Sequence, residues 1–199
     1  MREKFSPEEK KGLESDGAII YLLTGQTIEE QREARKKIGL PSFNSFVHLQ
    51  GKELVNVPSR RTEVAIYPDP ERFFVPGSFS QFTIVQDRLA KEDGDALSKK
   101  LGFNNITEII PDEVSTVTEL IFQHADGTGE WLLGDSYTRF TPERGYRFKV
   151  HARTKNPTER EDWLAEVSTD LSGCCLVVTA WHHYSSRDDL GVFRLVVPV

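Results

Sequence analysis

The sequence has 199 residues, of which 38% are hydrophobic and 28% charged, and its 25 Lys and Arg against 31 Asp and Glu give a net charge of -6. This composition excludes disorder over most of the chain, and the negative charge argues against a general nucleic-acid binder or a binder of anionic membranes, since both need a basic field. The length predicts a single domain, residues 1–199, and the neighbours Cys174 and Cys175 exclude a disulfide scaffold.

The first forty residues predict helices. Ser6-Pro7-Glu8-Glu9 has a cap residue, a proline and an acid at the spacing of a helix start, and the helix is expected to end near Gly12. The apolar run 18–23 lies between a serine and a glycine and predicts a second helix. Thr27 and Glu30 form a capping box for a third, which ends after two lysines. The beginning of the chain has no apolar core of signal-peptide length, and the run 18–23 is too short to span a bilayer, so we expect a cytosolic protein with no membrane role.

The middle of the chain predicts strands interrupted by helices. Residues 46–49, 53–57 and 64–67 are short runs of β-prone residues separated by turn residues. Residues 78–93 and 96–101 predict an inserted pair of helices. Residues 112–120 predict a further helix, although their β-branched content weakens that assignment.

The last third predicts an antiparallel sheet. Residues 120–124 and 130–133 flank a turn-rich loop and predict a hairpin. In residues 146–153 polar and apolar side chains alternate, which predicts a strand with one core face and one solvent face. Residues 174–184 and 192–197 predict a C-terminal β-hairpin. The fold class is therefore α+β: N-terminal helices followed by a mostly antiparallel sheet with an inserted helical pair and a C-terminal β-hairpin.

Four residues are candidates for catalysis. His182 and His183 are adjacent, but successive side chains of a strand project to opposite faces, so the pair is not expected to hold one metal ion. Asp126 follows His124 by two residues and could orient it as a general base, although Asp-Gly also suits a hairpin turn. No nucleophile elbow, phosphate loop or zinc-binding spacing is present, so we predict no metal and no cofactor.

The least ordinary local feature is basic. Residues 139–155 contain six Lys or Arg and one acid, with aromatic residues between them. Arg147, Lys149 and Arg153 fall on one face of the predicted strand and could bind an anion, although a solvated outer face has the same pattern.

Two functional classes follow. The sequence favours a non-catalytic domain that binds a protein partner or a small anionic ligand, since no catalytic motif is found. The alternative is an enzyme, of a hydrolase type, with a site assembled from the dispersed His and Asp residues. The sequence predicts no oligomeric state.

Overall fold

The computed structural model describes residues 2–44, 49, 51–140, 147–159, 162–169, 175–184 and 186–199, and for residues 140, 147 and 148 it describes the backbone alone. The chain is an α+β protein, as predicted. Its α-helices are α1 (Pro7–Ser15), α2 (Ile28–Lys37), α3 (Pro70–Phe73), α4 (Thr83–Leu101) and α5 (Val114–Thr128). Its strands are β1 (Ile19–Leu22), β2 (Glu63–Ile66), β3 (Ile106–Ile109), β4 (Thr138–Phe140), β5 (Arg147–Lys149), β6 (His151–Pro157), β7 (Trp163–Thr169), β8 (Leu176–His182), β9 (Leu190–Gly191) and β10 (Leu195–Pro198).

The strands form two four-stranded sheets and a two-stranded ribbon. Sheet A has the order β1-β2-β10-β3, and its neighbours are all antiparallel. Sheet B has the order β8-β7-β6-β9 and is antiparallel except for the parallel pair of β6 and β9. The ribbon consists of β4 and β5. The described strands are therefore mostly antiparallel, as the sequence predicts.

The hydrophobic core lies on both faces of sheet A. One cluster of buried residues joins the two sheets and α5, and it includes Val64, Val117 and Val167. A second cluster joins the opposite face of sheet A to α1 and α4, and it includes Ala65 and Leu97. Val64 and Ala65 belong to different clusters because successive side chains of a strand point to opposite faces. In the described part of the chain, no helix is both long and apolar enough to cross a membrane.

The capping boxes are present where the sequence predicts them. The Ser6 side chain accepts from the Glu9 backbone and the Glu9 carboxylate accepts from the Ser6 backbone, which starts α1. Thr27 and Glu30 make the same pair of bonds at the start of α2. Each box satisfies backbone donors that the first turn of a helix leaves free.

Two glycines lie inside helices where the sequence predicts an end or a break. α1 continues past Gly12 to Ser15, and the predicted pair of helices between residues 78 and 101 is the single helix α4, which passes through Gly94. A Cβ at Gly12 would lie 2.6 Å from the Phe103 ring, and one at Gly94 would lie 2.5 Å from the Glu108 nitrogen. Both glycines therefore allow a close approach of the helix to its neighbour rather than end it.

Two further assignments are wrong. Residues 18–23 contain strand β1 rather than a helix, because all four residues of β1 pair with β2. Residues 53–56 form a 3-10 helix rather than a strand. The predicted strand 64–67 is confirmed as β2, with a shift of one residue. Of the predicted strand 46–49, residues 46–48 lie outside the described residues. Short apolar runs do not distinguish a strand from a helix until their partners are known.

The hairpin predicted around residues 125–129 is also wrong. The helix expected at residues 112–120 is confirmed as α5, which continues to Thr128 and includes the first predicted hairpin strand. Gly129 has φ 79° and ends the helix in the left-handed conformation. Burial of one long face of α5 between the sheets outweighs the β-branched residues at its start.

The C-terminal strands are present, but they have different partners from those predicted. β8 pairs with β7 in sheet B, and β10 lies between β2 and β3 in sheet A, so the two strands do not form a hairpin with each other. The predicted strand 146–153 is interrupted at Val150, where the chain leaves the ribbon and enters sheet B. Val150 and Ala152 are buried as expected, but Arg153 does not face solvent and is 1% exposed.

Candidate ligand-binding site

A cavity of about 240 Å³ lies between the loop that follows α3 and the start of the β4–β5 ribbon. Its wall is largely apolar and aromatic and contains one cation, Arg139. Among the other lining residues are Phe74, Val75, Phe79, Tyr137 and Val150. Glu71 is the one carboxylate of the described lining. An apolar pocket with a small number of polar or charged groups is the usual composition of a small-molecule site.

Aromatic packing builds the floor of this cavity. The Phe73 and Phe74 rings pack edge to face with 5.0 Å between their centroids, and the Phe74 and Phe79 centroids are 4.8 Å apart. Behind them lies Gly191 of β9, where a Cβ would be 2.8 Å from the Phe79 ring and 2.9 Å from the Phe74 ring. The rings therefore occupy space that any larger residue at position 191 would take.

Backbone hydrogen bonds hold the loop of residues 74–80 against the segment of residues 187–193. Val75 N donates to Val192 O at 2.8 Å, and Val192 N donates to Ser78 Oγ at 3.1 Å. Ser80 N donates to Arg187 O at 3.0 Å, with Ser80 itself in the left-handed region at φ 58°. A non-glycine residue in that region is strained, so the surrounding bonds define the conformation of the loop.

Arg139 has no polar partner in the described part of the chain. Its guanidinium carbon lies 4.4 Å from the centroid of the Phe79 ring, which is a cation–π contact. Its Nη1 atom is fully buried and makes no hydrogen bond. Glu71 lines the same cavity, but in the described structure it forms no ion pair with Arg139. A buried charged donor without an acceptor is costly, and arginine keeps its charge in proteins. The described residues of the cavity therefore offer no acceptor to Nη1.

Tyr137 in this wall and Lys149 on the adjacent strand both have polar partners. The Tyr137 hydroxyl donates to the backbone oxygen of Pro68. Burial raises the pKa of Tyr137 above its ordinary value, so its hydroxyl stays neutral and the ring contributes apolar surface. Lys149 of β5 lies 3.4 Å from Asp135 and 3.4 Å from the Thr169 hydroxyl. Arg139 thus differs from Lys149 in having no acceptor among the described residues.

The three predicted anion-binding residues are not brought together as one exposed face. The structure does not describe the side chain of Arg147, and Lys149 belongs to the ribbon. Arg153 belongs to sheet B, where its Nε donates to Gln86 of α4 at 3.1 Å. Burial lowers the pKa of Arg153 to about 10. Arg153 is a buried residue between sheet B and α4.

Sheet B contains a buried carboxylate that the sequence did not single out. Glu166 lies opposite Arg153 and is 1% exposed. Its Oε1 accepts from Arg187 at 2.9 Å and from Thr179 at 3.0 Å, and lies 3.2 Å from His151 Nδ1. Burial by itself would raise the pKa of Glu166, but the contacts with these three residues outweigh it and lower that pKa. These contacts connect β6, β7, β8 and the segment before β9.

The structure separates His124 from Asp126. Both lie on α5, but His124 Nδ1 is 2.6 Å from the Tyr21 hydroxyl, whereas Asp126 receives two bonds from Arg35 at 2.9 and 2.8 Å. Burial lowers the pKa of His124 and raises the pKa of Tyr21 to about 12. Both groups are thereby kept neutral, and we assign the Tyr21 hydroxyl as the donor. Asp126 does not orient the imidazole.

His182 and His183 are neighbours in space. Their rings stack with 5.2 Å between centroids, because His183 follows the last residue of β8 and the alternation of the strand no longer applies to it. His182 Nδ1 accepts from the Tyr184 backbone at 3.2 Å, and His183 Nδ1 lies 3.0 Å from Asp162 O. Within the described residues no group of three His, Cys, Asp or Glu side chains could hold a metal ion. His48 and Cys174 lie outside those residues.

Comparison of the sequence with protein-family models, and of the chain with curated proteins and solved structures, finds no match.

Proposed function

We propose that the protein binds a small organic anion in the cavity at Arg139. One observation carries the proposal: Arg139 Nη1 is buried and has no hydrogen-bond partner among the described residues, although the chain has more acids than bases. A carboxylate or phosphate oxygen would supply the missing acceptor. Hydrogen bonds that involve a charged group contribute about 1.5–3 kcal/mol each, which is enough to favour an anion over its neutral analogue.

The cavity also limits the size of the ligand and the chemistry of its uncharged part. Its volume of about 240 Å³ lies just below the range of about 300–1,000 Å³ that is common for drug-sized ligands. The rings of Phe74 and Phe79 offer a flat apolar surface beside the guanidinium. We therefore expect an anion that contains one aromatic ring or a short aliphatic chain.

The proposal is one of binding without catalysis. The described lining contains no imidazole or thiol, and its one carboxylate is Glu71. The candidate histidines His124, His182 and His183 belong to other elements, α5 and the end of β8. A cytosolic location is part of the proposal and is supported by the cysteine content, two adjacent residues that offer no disulfide framework.

Isothermal titration with matched probes tests the proposal. Benzoate and phenyl phosphate carry an anion on an aromatic ring, and benzyl alcohol is the neutral control. We expect the anions to bind the wild-type protein and Arg139→Gln to weaken them at least about tenfold. Arg88→Gln is the matched variant, because Arg88 is exposed and pairs with Glu92 on α4. The proposal fails if neither anion binds, or if both bind Arg139→Gln as well as the wild-type protein.

A further inference from the structure

Within the described residues, the outer edge of β8 has backbone partners only at its beginning. β8 is the terminal strand of sheet B, and at its beginning Leu176 N donates to Ser42 O at 2.8 Å while Leu176 O accepts from Asn44 N at 2.8 Å. Backbone groups alternate between the two sides of a strand. Val178 and Ala180 therefore direct their N–H and C=O groups to the same outer side as Leu176.

The bonds on the other side support this register. His183 N donates to Asp162 O at 2.8 Å, so the odd-numbered residues of this segment bond toward β7. In the part of the chain that the structure describes, no backbone group bonds to the outer N–H or C=O of Val178 or Ala180. Unpaired edge groups of this kind are a template for an added strand.

Two adjoining cavities lie beside this edge. The first, of about 340 Å³, has residues 177–180 on one side, and its other described lining residues are Asn44, Leu49, Lys52, Leu54 and Thr158. The second, of about 360 Å³, shares Leu54 and Thr158 with the first and extends to Glu53 and Glu159. An extended segment paired with Val178 and Ala180 would thus have space for its side chains in both cavities.

The second cavity has an excess of negative charge. Asp112 and Glu113 share one cation, Arg60, at 2.7 and 3.3 Å. Glu53 and Glu159 line the same cavity, are exposed, and make no ion pair in the described structure. An arginine or lysine side chain is the complement of such a cavity.

We infer that the β8 edge is a docking site for an extended, basic segment of a protein partner. The segment adds an outer strand to sheet B through the backbone of Val178 and Ala180. One of its Lys or Arg side chains enters the cavity that contains Glu53 and Glu159. Backbone bonds supply affinity and the acidic cavity selects the charge, as in other cases of strand addition. This site does not involve Arg139.

A fluorescent peptide that alternates valine and lysine is the probe, and its affinity is measured by anisotropy at low salt. The same peptide with glutamate for lysine should not bind. The Ala180 N–H points outward and makes no ladder bond to β7. Ala180→Pro removes this N–H and should weaken binding of the peptide at least about tenfold. Glu53→Gln with Glu159→Gln should also weaken it. Glu14→Gln with Asp95→Asn removes the same charge from exposed helix positions and should leave it unchanged.

A backbone-methylated form of the Val-Lys peptide tests the same backbone hydrogen bonds with the wild-type protein, so the result does not depend on whether Ala180→Pro folds. Methylation removes the N–H donors of the peptide while its charge stays the same. Loss of binding to the wild-type protein supports strand addition. The inference is overturned if the unmodified peptide does not bind, if the methylated peptide binds equally well, or if the control charge variant weakens binding as much as the Glu53 and Glu159 variant.

Discussion

The guanidinium of Arg139 lies over the ring of Phe79, with 4.4 Å between the guanidinium carbon and the ring centroid. The contact leaves Nη1 buried and without a hydrogen-bond partner in the described structure. A cation–π contact contributes about 0.5–2 kcal/mol, whereas a buried donor without an acceptor costs about 1–3 kcal/mol, and more when the group is charged. The arrangement is therefore destabilising in the absence of an anion.

Gly191→Ala should damage the cavity floor. The added Cβ would meet the Phe79 and Phe74 rings at 2.8 and 2.9 Å, so the rings must shift. We expect a loss of about 1–3 kcal/mol in the free energy of unfolding, measured by urea denaturation. Gly127→Ala is the matched control, since nothing lies within 4 Å of its added Cβ inside α5. That variant should gain about 0.5–1 kcal/mol. Equal effects at the two positions would contradict this description of the floor.

Glu108 should make the protein less stable as the pH rises. Glu108 is 3% exposed, and burial, with Asp93 nearby, raises its pKa from 4.5 to about 9 despite Arg194. The folded state then holds a proton that the unfolded state releases, so stability falls between pH 4.5 and about 9. The slope of this contribution is about 1.4 kcal/mol per pH unit.

Glu108→Gln removes this proton linkage. The variant should therefore be more stable than the wild-type protein at about pH 8, and the difference should shrink toward pH 5. Urea denaturation of both proteins across this range measures the difference. A difference that is constant with pH would show that Glu108 ionises normally in the folded state.

Glu166→Ala should be among the most destabilising single changes. It leaves Arg187 without one of its acceptors and the buried Arg153 without its nearby countercharge. Breaking a buried ion pair from one side costs about 3–5 kcal/mol. Thr179→Val removes one hydrogen bond to the same carboxylate and should cost only about 1 kcal/mol. Thermal unfolding distinguishes the two, and similar costs would contradict the central position of Glu166.

Because the pKa of Glu166 is lowered in the folded state, its contribution to stability is present above its ordinary pKa of about 4.5. That contribution is lost as the pH falls through the folded-state pKa. Acid unfolding of the Glu166→Ala variant should therefore depend less on pH than acid unfolding of the wild-type protein. An unchanged acid profile would show that another carboxylate dominates.

Two proline variants test the register of β8. Ala180 directs its N–H outward, so Ala180→Pro should change the stability by less than about 1 kcal/mol. Val177 lies opposite Ser168 of β7, and Val177→Pro should cost about 1–3 kcal/mol because it leaves a ladder carbonyl unpaired. The midpoint of urea unfolding measures both. A reversed order of stability would mean that the two sides of β8 are exchanged.

Local sequence signals predicted local structure well. The capping boxes at Ser6 and Thr27 start α1 and α2 because their bonds join residues only three positions apart. Strand β1 was missed because its conformation is decided by pairing with β2, more than forty residues away. Asp126-Gly127 suggested a turn, but burial of α5 carries the helix through both residues.

The candidate site was predicted only in part. The basic composition of residues 139–155 pointed to an anion, but strand alternation selected Arg147, Lys149 and Arg153. The chain leaves the ribbon at Val150. Lys149 therefore belongs to the ribbon and Arg153 to sheet B, although the alternation of the sequence predicts that they share one strand face. Arg139 could not be chosen from sequence, because its lack of a partner depends on Phe79 and on the loop that carries it.

Thermal unfolding of the wild-type protein and Arg139→Gln, each with and without benzoate, distinguishes an anion site at Arg139 from a structural role of that residue. Without benzoate, Arg139→Gln should be at least as stable as the wild-type protein, since it removes a buried charged donor that has no acceptor in the described structure. Saturating benzoate should raise the midpoint of the wild-type protein alone, as binding to the folded state requires. A variant that is less stable without benzoate, or that benzoate stabilises equally, would show that Arg139 has a structural role and that the cavity is not an anion site.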